Sequence, residues 1–293
     1  MGKLDALGRA TFHHIASHEA VRPTNRELRW LALIDRHGPQ PSAALIDLTK
    51  DTHRCRDTSL RALQRLRAGG LLLLPPQQRA TERAEFNPYI YDITPKGRIY
   101  LDEAGQLVPS LRPSGHWWHA YTVGALTAAI DRMAVQAGIS YLPPQTILDR
   151  KGVGLGIRTS SGLVIPDQLF ALDYGGSYRA FLLEVDRGTE PHASRAAKES
   201  LARKIREYTE VFSRDLHRQH YGLRCPIALL FAFTSKVRVA RFLNDVQSNS
   251  PTLLPALLVQ ALDPSDPLLL RAASNQTAPW QRASGGTFDI FAR

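Results

Sequence analysis

The sequence predicts a mixed α/β protein, α+β overall, built in two parts. Helix-periodic segments crowd residues 26 to 70 and give way to a short apolar ribbon. Farther along, two apolar runs are joined by Gly175-Gly176, and helical and almost wholly apolar segments alternate after them. At 293 residues the chain is long enough for two domains with cores of their own.

Residues 1–24 read as an N-terminal arm. Its "HHIASH" at 13 to 18 has zinc-like spacing but no Cys or carboxylate cluster beside it, so a solvated helix is expected there. "RELRWLALIDRHG" reads as a helix closed by Gly38, and "PSAALIDLTKD" as a short second helix. "THRCRDTSLRALQRLRAGG" makes a third, with Leu60, Leu63 and Leu66 on one side and Gly69-Gly70 ending it. "LLLL" starts a strand, "PPQQRATERAEFNP" loops, and "YIYDITPKGRIYL" returns as a strand running into a short helix. Pro109, Pro113 and Gly115 then mark a linker, which sets domain bounds of 25–112 and 113–293.

The second part opens with a helix from about Trp117 to Gln136. It is apolar, but His119, Asp131 and Arg132 make it a core helix rather than a membrane span. "SYLPPQTILD" is the next strand. "GVGLG" at 152 to 156 is a turn, because strand-like "IRTSSGLVI" follows where a dinucleotide loop requires a helix. "LVIPDQLFALDY" and "SYRAFLLEVD" form a hairpin across "YGGS". A long helix, "ASRAAKESLARKIREYTEVFSRDLHRQ", buries a stripe of Leu201, Ile205, Tyr208 and Phe212. "PIALLFAFT" is a central strand, "VRVARFLNDV" a helix and "PALLVQALD" a last strand.

Three carboxylates sit at the ends of that hairpin, where apolar strands disfavour them. With Gly175 and Gly176 as the two loop residues, paired positions sum to 351, so Asp167 lies opposite Glu184. Strand side chains alternate, which puts Asp186 on the face of Glu184. Cross-strand neighbours stand roughly 4.5–5.5 Å apart at Cβ. Like charges that close call for protonation or a bound cation, and oxygen-only ligands suit Mg²⁺ or Mn²⁺. A plain alternative is a salt-bridge network with Arg187 or Arg203. His116 and His119 of "HWWHA" read as caps or packing residues.

Charge points to a polyanionic partner. The net charge is +10, shared as +5 in residues 1–112 and +5 in the remainder. Two distant cysteines, Cys55 and Cys225, lack metal-ligand spacing and fit a reduced, cytoplasmic compartment. The first residues lack the apolar region of a signal peptide, and no membrane association is expected.

Three helices followed by a ribbon resemble a winged helix-turn-helix over about residues 25 to 104. "Leu-x-x-Leu-x-x-x-Gly-Leu" before the ribbon and "Thr-x-x-Gly" after it are similar to the bacterial version. The resemblance implies that the third helix enters the major groove of double-stranded DNA. Arg54, Arg56, Ser59, Arg61 and Arg65 would then face DNA, with Arg79 and Arg83 at the wing tip.

The order αβββαβ of the second part resembles the restriction-endonuclease-like PD-(D/E)xK core. "IPD" at 165 to 167 supplies the Pro-Asp and "LEVD" at 183 to 186 supplies Glu184. Position 186, where that family carries Lys, holds Asp186. Lys204, one residue before Ile205 and four before Tyr208, is the substitute expected from the following helix, with Lys198 the second choice. The resemblance implies catalytic roles for Asp167, Glu184, Asp186 and Lys204, the three acids holding the metal.

"PD", "LLEVDRGTE" and "KIREY" behind a winged helix resemble the replication-relaxation family of plasmids and integrative elements, with the endonuclease-like relaxases as relatives. That implies a site-specific endonuclease or nickase acting at an origin of replication or transfer. Homodimerisation and contacts with conjugation or replication proteins are the further partners it implies. A relaxase with Tyr174, Tyr178 or Tyr208 as nucleophile would be different chemistry. A non-catalytic DNA-binding initiator on a decayed nuclease fold is the alternative, and a protein-binding adaptor a third reading.

Overall fold

The computed structural model describes residues 21–52, 55–80, 87–188, 195–266, 268–271 and 279–292. Of the residues singled out above, 13 to 18, Arg54, Arg83 and the side chain of Lys198 lie outside the described residues. The chain is mixed α/β, as predicted, and divides into two compact units. One comprises Met1–Ala129 with Leu268–Ala273, the other Ile130–Pro267 with Ser274–Arg293.

In the first unit, α1 (Asn25–His37), α2 (Ser42–Leu48) and α3 (Arg56–Ala68) precede a small antiparallel sheet. Thr24 and Glu27 form a capping box that starts α1, satisfying two N–H groups that the first turn leaves open. Gly38, at φ 88°, ends it. The Trp30 indole donates to the Leu45 carbonyl at 2.7 Å and to Thr49 Oγ1 at 3.0 Å, tying α1 to α2 inside the core. Leu63 and Leu66 bring α3 into the same core, with Leu31, Ile34 and Leu101.

The ribbon differs from the expected two strands. β1 (Gln40–Pro41), β2 (Leu72–Leu73) and β3 (Ile90–Ile93) form a sheet in the order β1-β3-β2. Two-residue strands carry too little alternation to register in a sequence. The Gln78 side chain extends this sheet by accepting from Ile90 N at 3.0 Å and donating to Ile90 O at 2.9 Å. After β3, α4 (Pro95–Glu103) follows at once. Its cap, Thr94, accepts from Gly97 N and donates to Gly70 O, which accounts for the Thr-x-x-Gly pattern. A Cβ at Gly97 would stand 2.5 Å from the Leu71 carbonyl oxygen, so the backbones approach too closely for any side chain.

α5 (Trp117–Gln136) crosses from one unit into the next. No helix among the described residues is long and apolar enough to cross a membrane. The second unit is a seven-stranded mixed sheet in the order β12-β11-β10-β9-β8-β7-β4. These strands are β4 (Ser140–Leu142), β7 (Gln168–Asp173), β8 (Tyr178–Asp186), β9 (Ile227–Phe233), β10 (Leu257–Ala261), β11 (Trp280–Arg282) and β12 (Thr287–Phe288). β4, β7 and β8 are antiparallel, while β9 runs parallel to β8 and β10 parallel to β9. β8 and β9 therefore lie inside the sheet, and residues 180–185 are buried on both faces.

Several elements depart from expectation. "SYLPPQTILD" becomes β4 and the short helix α6 (Pro144–Leu148), because Pro143-Pro144 stops the strand and starts a helical turn. A separate hairpin, β5 (Ile157–Thr159) and β6 (Gly162–Val164), precedes β7. The run expected as one strand from Leu163 is thus interrupted at 165–167, where Pro166 lacks the N–H a ladder needs. The long helix also breaks. α7 (Arg195–Ser213) ends before α8 (Leu216–Tyr221), with Asp215 left-handed at φ 53° between them. α9 (Lys236–Asn249) joins β9 to β10.

Gly97→Ala should lower stability by about 1–3 kcal/mol, the range for forcing a methyl into a filled space. Urea denaturation of the two proteins measures this, and an unchanged midpoint would contradict the close approach at Leu71.

Candidate functional site

The hairpin that carries the acids pairs as counted. Gln168 faces Leu183, Leu169 faces Leu182 and Asp173 faces Tyr178, each pair summing to 351. The two-residue turn is sharp because Gly175 and Gly176 take φ of 89° and 98°, which side-chain-bearing residues rarely adopt. Asp173 Oδ1 accepts from both glycine N–H groups at 3.0 and 2.7 Å and locks the turn. At the far end, Asp167 lies in the break before β7, and its Oδ2 accepts from Val185 N at 2.8 Å.

Glu184 points into the space between sheet and α7 and is 0% exposed. The Lys204 ammonium donates to its Oε2, and the Tyr208 hydroxyl donates to its Oε1 at 2.5 Å. Both partners come from α7, one turn apart, so a single helix face supplies them. The Lys204 side chain is 33% exposed, reaching the buried carboxylate along the helix border while part of it stays wet.

Electrostatics follow the geometry. Burial, then the neighbouring Asp167 charge, pushes Glu184 up to about 7, against the opposing pull of Lys204 and Tyr208. Burial works against the Lys204 ammonium, but the Glu184 and Asp167 carboxylates outweigh it and raise its pKa. Tyr208 is raised well above the usual phenol value by burial and by Glu184.

Asp186 is arranged differently. Its carboxylate accepts from Arg238 Nη2 at 2.7 and 2.8 Å and from Nε at 3.1 Å, and Gly188 N adds a bond at 2.8 Å. The structure therefore pairs Asp186 with α9 while Glu184 pairs with α7. Among the described residues no group of three or more His, Cys, Asp or Glu side chains is gathered to hold a metal ion. Asp167 and Glu184 are what remains of the expected three. Arg203 pairs with Glu207 at 3.9 Å, not with the hairpin acids. Arg238 was absent from the sequence reading, since it lies 52 residues beyond Asp186 and in no motif.

The tyrosines are accounted for. Tyr174 donates to the Ile290 carbonyl at 2.6 Å, Tyr208 is fully buried on Glu184, and Tyr178 lies at the opposite end of β8. His116 and His119 belong to the first unit, at the start of α5.

In the first unit, Arg56, Arg61 and Arg79 are exposed. One expected DNA contact is corrected. Ser59 is 0% exposed, sharing the inner stripe of α3 with Leu63 and Leu66, so it cannot reach DNA from there. Arg65 Nη2 lies 2.6 Å from both oxygens of buried Glu27 and ties α3 to α1, while its side chain stays 43% exposed.

The Glu184 pKa has a consequence for stability. Its folded value, about 7, exceeds the usual 4.5, so between those values the folded chain binds more protons than the unfolded one. Stability contributed by this group therefore falls as pH rises through that window, by at most about 3–4 kcal/mol at about 1.4 kcal/mol per unit. Glu184→Gln should remove the fall, so its stability relative to wild type rises from pH 4.5 to 7. Parallel profiles in chemical denaturation would contradict the buried carboxylate.

Comparison with known proteins is specific in one respect. Residues 31–226, about two thirds of the chain, match the replication-relaxation family. No curated protein and no solved structure matches. The match takes in the second half of α1, α2, α3 and the ribbon of the first unit, the Asp167–Glu184 hairpin and α7 with Lys204 and Tyr208. The chain belongs to the replication-relaxation family, which points to a role in the replication or transfer of a plasmid or mobile element.

Proposed function

We propose that the chain is a site-specific, metal-dependent DNA endonuclease or nickase of a mobile element. In this reading the first unit is a winged helix-turn-helix that binds double-stranded DNA, and the second is a PD-(D/E)xK-type core that cuts it. The observation that carries the reading is the buried Glu184 at the end of a central strand, in register with Asp167 and capped by Lys204. A structural ion pair does not require a second carboxylate across the hairpin. A phosphate-cleaving site does, because its metal needs oxygen ligands while a cation meets the phosphate.

The residues fit Mg²⁺ or Mn²⁺. Asp167 and Glu184 offer hard oxygen donors, and a cation beside them would offset the burial and mutual repulsion that hold Glu184 up. When bound, such an ion would polarise the scissile phosphate and lower the pKa of an attacking water. Asp167 and Glu184 would hold it, helped by the Val185 carbonyl. Lys204 would turn from Glu184 toward the phosphate and stabilise charge gathering on its oxygens. Tyr208 would keep Glu184 oriented through its hydroxyl. It is too buried to attack phosphorus itself.

DNA contact falls to Arg56 and Arg61 on the outer side of α3 and to Arg79 on the ribbon. Asp186 favours the second reading, a non-catalytic DNA-binding initiator, because Arg238 occupies the carboxylate that the three-acid arrangement would use.

Supercoiled plasmid bearing the element's origin should be nicked in Mn²⁺ and left intact in EDTA. Lys204→Ala should abolish nicking with DNA affinity unchanged, as expected of a group serving the transition state. An inert wild type that still binds the origin would establish the initiator reading. Separately, Arg56→Ala and Arg61→Ala should each weaken origin binding by about 1–3 kcal/mol if they read bases. Full affinity in both variants, measured by fluorescence anisotropy, would remove α3 from the DNA interface.

A further inference from the structure

The hairpin β5–β6 takes no part in the seven-stranded sheet, yet it leads directly into Asp167. Its inner face is Ile157, Thr159 and Val164, all buried. Its outer face is unusual in composition. Leu163 is 54% exposed and Ile165 56% exposed, among the few large apolar side chains so open to water. Register places Arg158, also exposed, directly across from Leu163. Cross-strand neighbours share one face, so the Arg158 cation and Leu163 stand side by side, with Ile165 just past the strand end.

The hairpin is held firmly. Glu210 of α7 accepts from Ser160 N at 3.0 and 3.1 Å and from the Ser160 hydroxyl at the hairpin tip. α7 is the helix that delivers Lys204 and Tyr208 to Glu184. Leu163 lies flat over Gly156, where a Cβ would come within 2.9 Å of its Cδ2. The hairpin tip is therefore tied to the helix that carries Lys204 and Tyr208. Along an extended chain of about 3.3 Å per residue, Ile165 and Leu163 are at most roughly 7 and 13 Å from Asp167. Stacked nucleotides advance about 3.4 Å each, so this is the reach of a few nucleotides.

We infer that the outer face of β5–β6 contacts the unpaired bases of the DNA strand flanking the phosphate held at Asp167, Glu184 and Lys204. This deepens the cleavage reading and rests on it. Leu163 and Ile165 act as the apolar wedge against bases, and Arg158 meets the adjoining phosphate. Alternation of cationic and apolar groups matches a single strand, which alternates phosphate with base face. Two side chains fall far short of the roughly 20–30 residues a side that a stable protein interface uses, so a second copy is not the occupant. The preferred substrate is thus DNA already open beside the cut.

The test uses the full chain and two labelled oligonucleotide duplexes, identical except that one carries a central unpaired bubble. Wild type should bind the bubble about tenfold tighter, because an open strand is spared the unstacking that a wedge imposes. Leu163→Ser with Ile165→Ser should erase that preference while affinity for the paired duplex stays. Both side chains are more than half exposed, and circular dichroism checks that the double variant folds. Equal wild-type affinities, or a preference that survives the double variant, overturn the inference. Plasmid nicking in Mn²⁺ without bubble preference would overturn the hairpin role alone. Bubble preference that depends on Leu163 and Ile165 in a protein that never nicks would count against cleavage and support the base contact.

Discussion

A carboxylate with no exposed surface is costly to ionise, and the second unit is organised around answering that cost at Glu184. The strand that carries it is inside the sheet, so solvent cannot help. A cation and a hydroxyl have to be brought from elsewhere, and α7 brings both on one face. That requirement fixes the rotation of α7 about its axis, with Ile205 and Tyr208 inward and Lys204 at the edge. It also orders the hairpin ends. Val185 N binds Asp167, so the two acids are held near each other by backbone rather than by chance of rotamer. Removing one partner from such a pair leaves an uncompensated charge, which is why the arrangement is all or nothing.

The first unit uses its charges in a related way. Buried Glu27 is shared between the capping box of α1 and the guanidinium of Arg65 from α3. One acid thus starts a helix and anchors another, and an arginine of α3 becomes structural. Arg56 and Arg61 also stand exposed on that helix, without the tie to Glu27. In the proposed reading, DNA binding falls to the first unit and chemistry to the second.

Much of this was legible locally. A two-residue Gly-Gly turn leaves one register, and so the facing of Asp167 and Glu184 could be counted. Lys204 could be named because helical spacing from Ile205 and Tyr208 is short-range information. Ser59 was legible too, since it precedes Leu63 by four and Leu66 by seven, the spacing of one helix face. Reading it as polar rather than as positional put it on the wrong side. Pro166 carried the break between β6 and β7 for the same local reason, its missing N–H.

Other features had no local trace. Arg238 meets Asp186 only because β9 runs parallel to β8 and α9 follows β9, so the ion pair is a product of topology. Arg65 finds Glu27 across 38 residues by the packing of α3 on α1. The strands β11 and β12 are too short to show alternation, and they extend the sheet beyond the strand expected as last. The most direct measurement of the central claim is a Mn²⁺-soaked crystal with anomalous diffraction. A peak between the Asp167 and Glu184 carboxylates, with Lys204 displaced from Glu184, is the predicted result. No peak there, with Glu184 still held by Lys204 and Tyr208, would make the cluster a structural ion pair and contradict the account.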